Sequence, residues 1–180
     1  MPLVVFLRGV NVGGHKAFQP SALAKELAEF DAVNVGAAGT FVIRKAVSQK
    51  ALRAELSRRL PFEAEFMICL GRELTDLAYG DAFPAEPSGE GVKQFVSVLA
   101  VRPRTLPALP FNQPAGDSWQ VKIVAVIGRF ALSLQRRVGQ RFIYPNEVVE
   151  KHLGVSATTR NWNTLSAICD ILRGDSNGTR

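Results

Sequence analysis

The sequence predicts an α+β protein built in two halves, and three observations carry that expectation. Short apolar runs with the length and valine content of strands alternate with stretches whose leucines recur at helical spacing. A polar segment over 83–91, FPAEPSGEG, interrupts the alternation with two prolines and two glycines. Beyond it the order of elements nearly recurs, although the halves share no clear sequence repeat. The expected architecture is two ferredoxin-like βαββαβ subdomains, each an antiparallel sheet covered by helices. The first occupies 1–86, a linker 87–91 and the second 92–173. The last residues, GDSNGTR at 174–180, have no apolar content and are expected as a disordered tail.

Taken in order, Leu3–Leu7 is too short for a helix and reads as a buried strand, and Gly9–Lys16 is a loop. Pro20 suits the first turn of a helix, where its missing N–H costs nothing, and Leu23, Leu27 and Phe30 follow on one face. Val33–Val35 and Thr40–Ile43 are short strands around the turn GAAG. Ser48 is placed to cap a second helix, whose Leu52, Leu56 and Leu60 recur every four residues until Pro61 stops it. Glu65–Leu70 is a strand and RELTDLAYG a further short helix. In the second half Phe95–Val101 is a strand, and RPRTLPALPFNQPAG is a proline-rich connection with room for a short helix. Its Pro107–Pro110 spacing matches a PxxP ligand, but Leu106, Leu109 and Phe111 favour inward packing. Trp119–Val126 and Phe130–Leu134 form a hairpin around Gly128, and Pro145–Leu153 is a helix ended by Gly154. Trp162, Leu165, Cys169 and Leu172 mark the apolar face of a last helix.

A composition of 47% hydrophobic and 21% charged residues belongs to an ordinary globular chain. No apolar run approaches the roughly 20 residues of a membrane span, and the N-terminus has no basic region before its apolar run, so a cytosolic location is expected. Cys69 and Cys169 sit in apolar settings without a second ligand at metal spacing, which predicts buried reduced thiols, no metal site and no cofactor. Charge is more informative. Residues 1–90 hold 10 Lys/Arg and 11 Asp/Glu, a balance of −1, whereas residues 91–180 hold 12 and 5, a balance of +7. Arg129, Arg136, Arg137 and Arg141 fall within thirteen residues. A basic half points to an anionic partner, against the plainer reading of a solvated basic surface.

Two polar clusters are candidate sites. RGVNVGG lacks both the GxxxxGK[ST] and the GxGxxG spacing. Yet Gly9, Gly13 and Gly14 permit positive φ, so that successive N–H groups can converge on an anion, with Arg8 and Lys16 bracketing the loop and Asn11 inside it. A tight strand-to-helix connection is the competing reading. The second cluster, ATTRNWNT, places Thr158, Thr159, Arg160, Asn161, Asn163 and Thr164 ahead of the last helix, more polar groups than one cap requires. A helix N-terminus beside an arginine favours an anion; a buried polar network is the alternative. Catalytic signals are thin. His152 lies near a helix C-terminus, where a cation helps the dipole; His15 lies in the first loop with no nucleophile beside it; Glu63 and Glu65 share a strand face but read as a solvated edge. For nucleic acid, an RRM-type sheet needs exposed aromatics, which VIRKAV and FMICL do not supply.

FLRGVNVGG near the start and LGVSATTRNWNTL near the end resemble the two signature stretches of the bacterial domain of unknown function 1697 family. The resemblance runs over residues 3–172. It implies a fold of two α+β ferredoxin-like subdomains and carries no biochemical activity with it. The chain departs from the family pattern at Ala37–Thr40, where members have Gln-Ser-Gly-Asn, and near Gly139–Phe142, where they have Gly-Arg-Ser-Lys. If those polar residues share a site, this chain has lost part of it, which weakens a catalytic reading more than a binding one. The favoured function is a cytosolic binding module for an anionic small molecule or nucleotide-like ligand. Its composite site would join Arg8, Asn11, Gly13, Gly14 and Lys16 to Thr159, Arg160 and Asn161. The alternatives are weak nucleic-acid binding through the basic half, an enzyme of unknown reaction and a purely structural role. No membrane partner is expected, and the sequence sets no oligomeric state.

Overall fold

The unbroken apolar run LVVFL becomes β1 (Leu3–Leu7), buried along its whole length as a central strand with both faces covered must be. A computed structural model of the chain describes residues 1–10, 18–80, 82–83, 91–140 and 142–176. In it β1 pairs antiparallel with β3 (Thr40–Ile43) on one side and β4 (Phe66–Leu70) on the other, and β2 (Ala32–Asn34) extends the β3 edge. The sheet order is β2-β3-β1-β4. α1 (Pro20–Glu26) starts on its proline as expected, then tightens into a 3-10 turn over Ala28–Phe30 rather than running on as one helix. α2 (Gln49–Arg59) begins where the Ser48 hydroxyl accepts the Ala51 N–H at 3.1 Å. α3 (Gly71–Tyr79) follows β4 directly.

Leu23, Leu27, Leu52 and Leu56 pack on the sheet face that carries Leu3, Val5, Leu7, Phe41, Ile43 and Ile68. The alternate residues Val4, Phe6, Val42, Met67 and Cys69 are buried as well. The turn before β3 presses on the end of β1. Gly39 has φ +69°, its carbonyl accepts the Leu7 N–H at 2.8 Å, and a Cβ there would lie 2.8 Å from Val10 Cγ2 and 2.9 Å from Leu7 Cβ. Only glycine fits that position without displacement.

The second sheet contains β5 (Lys93–Leu99), β6 (Phe111–Gln113), β7 (Val121–Ile127), β8 (Phe130–Gln135) and β9 (Ala157–Asn161), in the order β6-β7-β8-β5-β9, all antiparallel neighbours. α4 (Pro145–Leu153) lies between β8 and β9 in the chain and ends on Gly154 in the left-handed region. Val148, Val149 and Leu153 pack on Leu99, Ile123, Ala131 and Ala157. Two elements differ from the sequence expectation. The proline-rich connection supplies the short edge strand β6 and, among its described residues, no helix. The polar run ATTRN, expected as the approach to a helix, is the strand β9; its threonines favour extended backbone although its polarity hides the strand signal.

The last helix, α5 (Trp162–Ser176), is a residue-for-residue continuation of β9 and runs past Gly174, where the tail was expected to start. The remaining tail, 177–180, lies outside the described residues, as does the linker 87–91 except for Gly91. The chain divides into two compact units, Met1–Ala78 with Ser166–Arg180, and Tyr79–Leu165. The expected boundary of 92–173 therefore does not hold for α5. Its apolar face explains why: the Cys169 thiol donates to the Leu74 carbonyl at 3.8 Å, and Leu172 packs on Gly71, both in the first unit. The whole is a mixed α/β protein with two antiparallel sheets and, among the described residues, five α-helices. Among those residues no helix is long and apolar enough to cross a membrane.

Candidate functional site

At the end of β1, Arg8 donates its backbone N–H to the Glu65 carbonyl at 2.9 Å, and its guanidinium NH1 lies 3.3 Å from Glu65 Oε2. Glu65 is thus an ion-pair partner rather than one of two solvated edge carboxylates. Both side chains are more than a third exposed, so the pair stabilises by at most about 1 kcal/mol. An anion at Arg8 would have to compete with that carboxylate. The turn Ala37–Thr40 is beside it in the same unit: Ala37 and Ala38 face solvent, Thr40 is buried and Gly39 sits against Leu7 and Val10. The remaining members of the first candidate loop, Asn11, Gly13, Gly14 and Lys16, and with them His15, lie outside the described residues.

The second cluster is divided by the period-two geometry of β9. Thr159 and Asn161 project to the side that α4 covers, Thr158 and Arg160 to the other. The Thr159 hydroxyl donates to Asn146 Oδ1 at 2.8 Å and lies 2.6 Å from the Ser97 hydroxyl, tying β9 to β5 and to the start of α4. Asn161 accepts the Thr164 N–H at 2.8 Å and the Thr164 hydroxyl at 2.9 Å, which makes it the cap of α5. Arg160 is 9% exposed, and its NH1 donates to the Thr158 hydroxyl and the Thr159 carbonyl at 2.9 Å each. Burial pushes its guanidinium down to about 10, so it stays charged at neutral pH. Arg8 belongs to the first unit, and Thr159, Arg160 and Asn161 to the second. Trp162 packs edge-to-face on Phe83 at 4.9 Å.

A third cluster shows in the sequence only as its arginines, without the rings that accompany them. At the end of β8 the Arg136 guanidinium stacks on Trp119, 4.1 Å from the ring centre, while Lys122 Nζ lies 4.9 Å from the same ring. Arg136 also donates Nε–H to the Trp119 carbonyl at 2.7 Å and an NH2 hydrogen to the Asp117 carbonyl. Two carbonyls and a ring fix this cation without neutralising it. Lys93 sits across from Gln135 in the β5–β8 register, and Arg137, next to Arg136 in the chain, is exposed. The connection from β8 to α4 then carries Phe142 and Tyr144, 46% and 60% exposed, edge-to-face with centroids 4.5 Å apart. The signal was present as RRVGQRFIY, arginines followed by two rings; counting charges alone passes over the rings. Arg141 lies outside the described residues.

His152 does not behave as a helix-ending cation. Its ring lies 4.1 Å from Phe111, and burial, with a smaller contribution from the Lys151 charge, lowers its pKa and favours the neutral imidazole. Among the described residues no group of three or more His, Cys, Asp or Glu side chains could hold a metal ion.

A family model described as a protein of unknown function, DUF1697, matches residues 1–125. That span contains the FLRGVNVGG stretch and stops within β7, short of LGVSATTRNWNTL and so of the 3–172 span that the resemblance implies. Among solved structures, a conserved bacterial protein from Streptococcus pneumoniae is similar, with a TM-score of 0.60 at 17% identity, over 95% of this chain and 98% of that one. At that identity the likeness concerns the fold alone. No curated protein matches.

Proposed function

We propose, for a chain that belongs to the DUF1697 family of proteins of unknown function, that it is a cytosolic binding module for an anionic partner held by its basic second unit. The observation that carries this reading is the cation cluster of Lys93, Lys122, Arg136 and Arg137 at one end of the second sheet, with Arg136 fixed on Trp119 and without a carboxylate partner among the described residues. A fixed, unneutralised guanidinium loses little entropy on meeting an anion. The test is fluorescence anisotropy of a labelled polyphosphate with rising salt. Affinity is expected to fall at least tenfold between about 50 and 200 mM salt as counterions are released, and Arg136→Ala with Arg137→Ala is expected to weaken it further. No binding at the lower salt, or binding indifferent to salt, overturns the proposal.

A narrower anion site within the second unit, at Thr159, Arg160 and Asn161, draws support from the buried, charged Arg160, although the capping bonds of Asn161 already use part of it. We also read both units as ferredoxin-like. The support is strand order: β2-β3-β1-β4 in the first sheet, and β7-β8-β5-β9, the same pattern, in the second once β6 is set aside.

A further inference from the structure

At the end of the second sheet opposite the Arg136 cluster, β5 leaves the sheet after Leu99, β7 turns through Gly128 into β8, and β9 begins at Ala157. Backbone bonds join these segments. The Leu99 N–H donates to the Arg129 carbonyl and the Ala100 N–H to the Ser156 carbonyl, each at 2.9 Å. The Arg102 guanidinium lies by the hairpin turn, its NH2 3.8 Å from where a Cβ on Gly128 would be. Val101, its neighbour in the chain, is 59% exposed, and Ile127, just before the turn, 46%. Aliphatic side chains left in water lose the burial that would stabilise them. The same connection carries the exposed Arg104 and Leu106 before β6 starts at Phe111. Acidic groups are scarce at this end. Between Gly91 and Asn146 the one Asp or Glu is Asp117, which is at the other end with its carbonyl on Arg136. Glu150 of α4 comes nearer, and its Oε1 is engaged by the Ala157 N–H at 2.7 Å. Arg102 and Arg104 have no ion-pair partner among the described residues. Arg129 and Lys151, in the last turn of α4, add to the positive charge.

Guanidinium groups and aliphatic side chains share this end, with no exposed aromatic ring on either segment. Nucleic acid would engage the cations but offer the aliphatic groups nothing, since bases stack on rings. A peptide helix or strand docks into a groove or along a sheet edge, whereas a hairpin turn and a strand end project. An anionic bilayer interface takes both kinds of group at once. Cations pair with its headgroups while short apolar tips enter the acyl boundary, and arginine stems reach between the two depths. Three partly exposed aliphatic groups make a weak anchor alone, so the charge is the required second signal. We infer that the sheet end formed by 101–106 and 127–129 is a peripheral docking surface for an anionic bilayer. The inference goes beyond the anionic-partner reading, which rests on the opposite end of the sheet. It needs no spanning helix.

The experiment is flotation of the full chain with vesicles of phosphatidylcholine alone and of phosphatidylcholine mixed with phosphatidylserine. Binding is expected to the mixed vesicles only, weakening at least tenfold between about 50 and 500 mM salt. Arg102→Ala with Arg104→Ala is expected to weaken it about tenfold. Val101→Thr with Ile127→Thr keeps the β-branched shape and is expected to weaken it at least about threefold, with polyphosphate affinity unchanged. Arg136→Ala with Arg137→Ala is expected to leave vesicle binding in place, which separates the two ends of the sheet. Val101, Ile127, Arg102 and Arg104 are exposed, and an unchanged thermal melt checks that the variants fold. No binding to mixed vesicles at low salt overturns the surface, as does binding that survives loss of both arginines or of both aliphatic groups. Vesicle binding that is lost with Arg136 and Arg137 places the contact at the other end and overturns it too. Binding of an oligonucleotide or an acidic peptide through Arg102 and Arg104, with none to vesicles, overturns the bilayer assignment. Polyphosphate binding at the Arg136 cluster is read separately, so the two readings fail independently.

Discussion

Beneath α1 and α2 the first sheet presents Leu3, Val5, Leu7, Phe41, Ile43 and Ile68, whereas the face of the second sheet beneath α4 interrupts its apolar residues with Ser97, Ser133 and Thr159 and bonds Thr159 to Asn146. The first face stabilises by area removed from water; the second gives up some of that in exchange for directional bonds. Directional bonds fix where a helix starts, and the start of α4 is where the exposed rings are. The charge divides less sharply: the first unit holds 12 Lys/Arg and 10 Asp/Glu, a balance of +2, and the second 10 and 6, a balance of +4. One unit is filled for stability, the other for placing groups at its surface.

The largest effects should come from the apolar face. Phe41→Ala removes a ring with no exposed surface from the centre of the first sheet and is expected to cost about 3–5 kcal/mol in denaturant unfolding. A cost under about 1 kcal/mol would mean that the first core is loosely packed and that the comparison is misdrawn. Gly39→Ala follows, at about 2–4 kcal/mol, because a left-handed φ and a Cβ 2.8 Å from Val10 act together. Its effect should appear in stability with no change in polyanion affinity.

Thr159→Val keeps the shape of the side chain and deletes its hydroxyl, leaving Ser97 and Asn146 without that partner. The expected loss is about 1–3 kcal/mol. The sharper readout is hydrogen exchange at the start of α4, which should quicken around residues 146–149 while β1 and β3 are unaffected. Unchanged exchange there would show that apolar packing by Val148 and Val149 positions the helix alone.

Much of the first unit was legible because its signals are local and agree with one another. LVVFL could only be a buried strand, Ser48 capped where it was expected to, and the leucines of α2 met the sheet. The second unit conceals its design. ATTRN carries no apolar alternation, so β9 was invisible, and with it the opposite facing of Thr159 and Arg160 that separates residues which are neighbours in sequence. α5 shows an apolar face clearly, but periodicity does not say which unit that face covers. Glu65 and Arg8, 57 positions apart, meet only through the β1–β4 pairing.

A smaller, pH-dependent effect comes from His152. Its pKa is lowered in the fold from an ordinary value of about 6.5, so the unfolded chain binds more protons just below that pH. Stability from the neutral imidazole is present above about pH 6.5 and is lost as pH falls through the folded pKa. Urea midpoints of the wild type should decline over this window, and His152→Gln should flatten the decline. The ion-paired Glu29, Asp31 and Glu55 have their pKa lowered by arginine hydrogen bonds from ordinary values of 4.5, 3.8 and 4.5, and act only at more acid pH.

The smallest effect is the most discriminating. Ser133 is fully buried on the same sheet face as Ala131, and its hydroxyl oxygen has no hydrogen-bond partner. If polar filling in the second unit exists only where it makes bonds, Ser133→Ala removes a desolvated group and should change stability by less than about 1 kcal/mol, in the stabilising direction. Thr159, two strands further along, should respond with the opposite sign. A clear loss from Ser133→Ala would mean that this hydroxyl is bonded in solution, through an ordered water, and that the polar layer beneath α4 extends from β9 across β5 to β8.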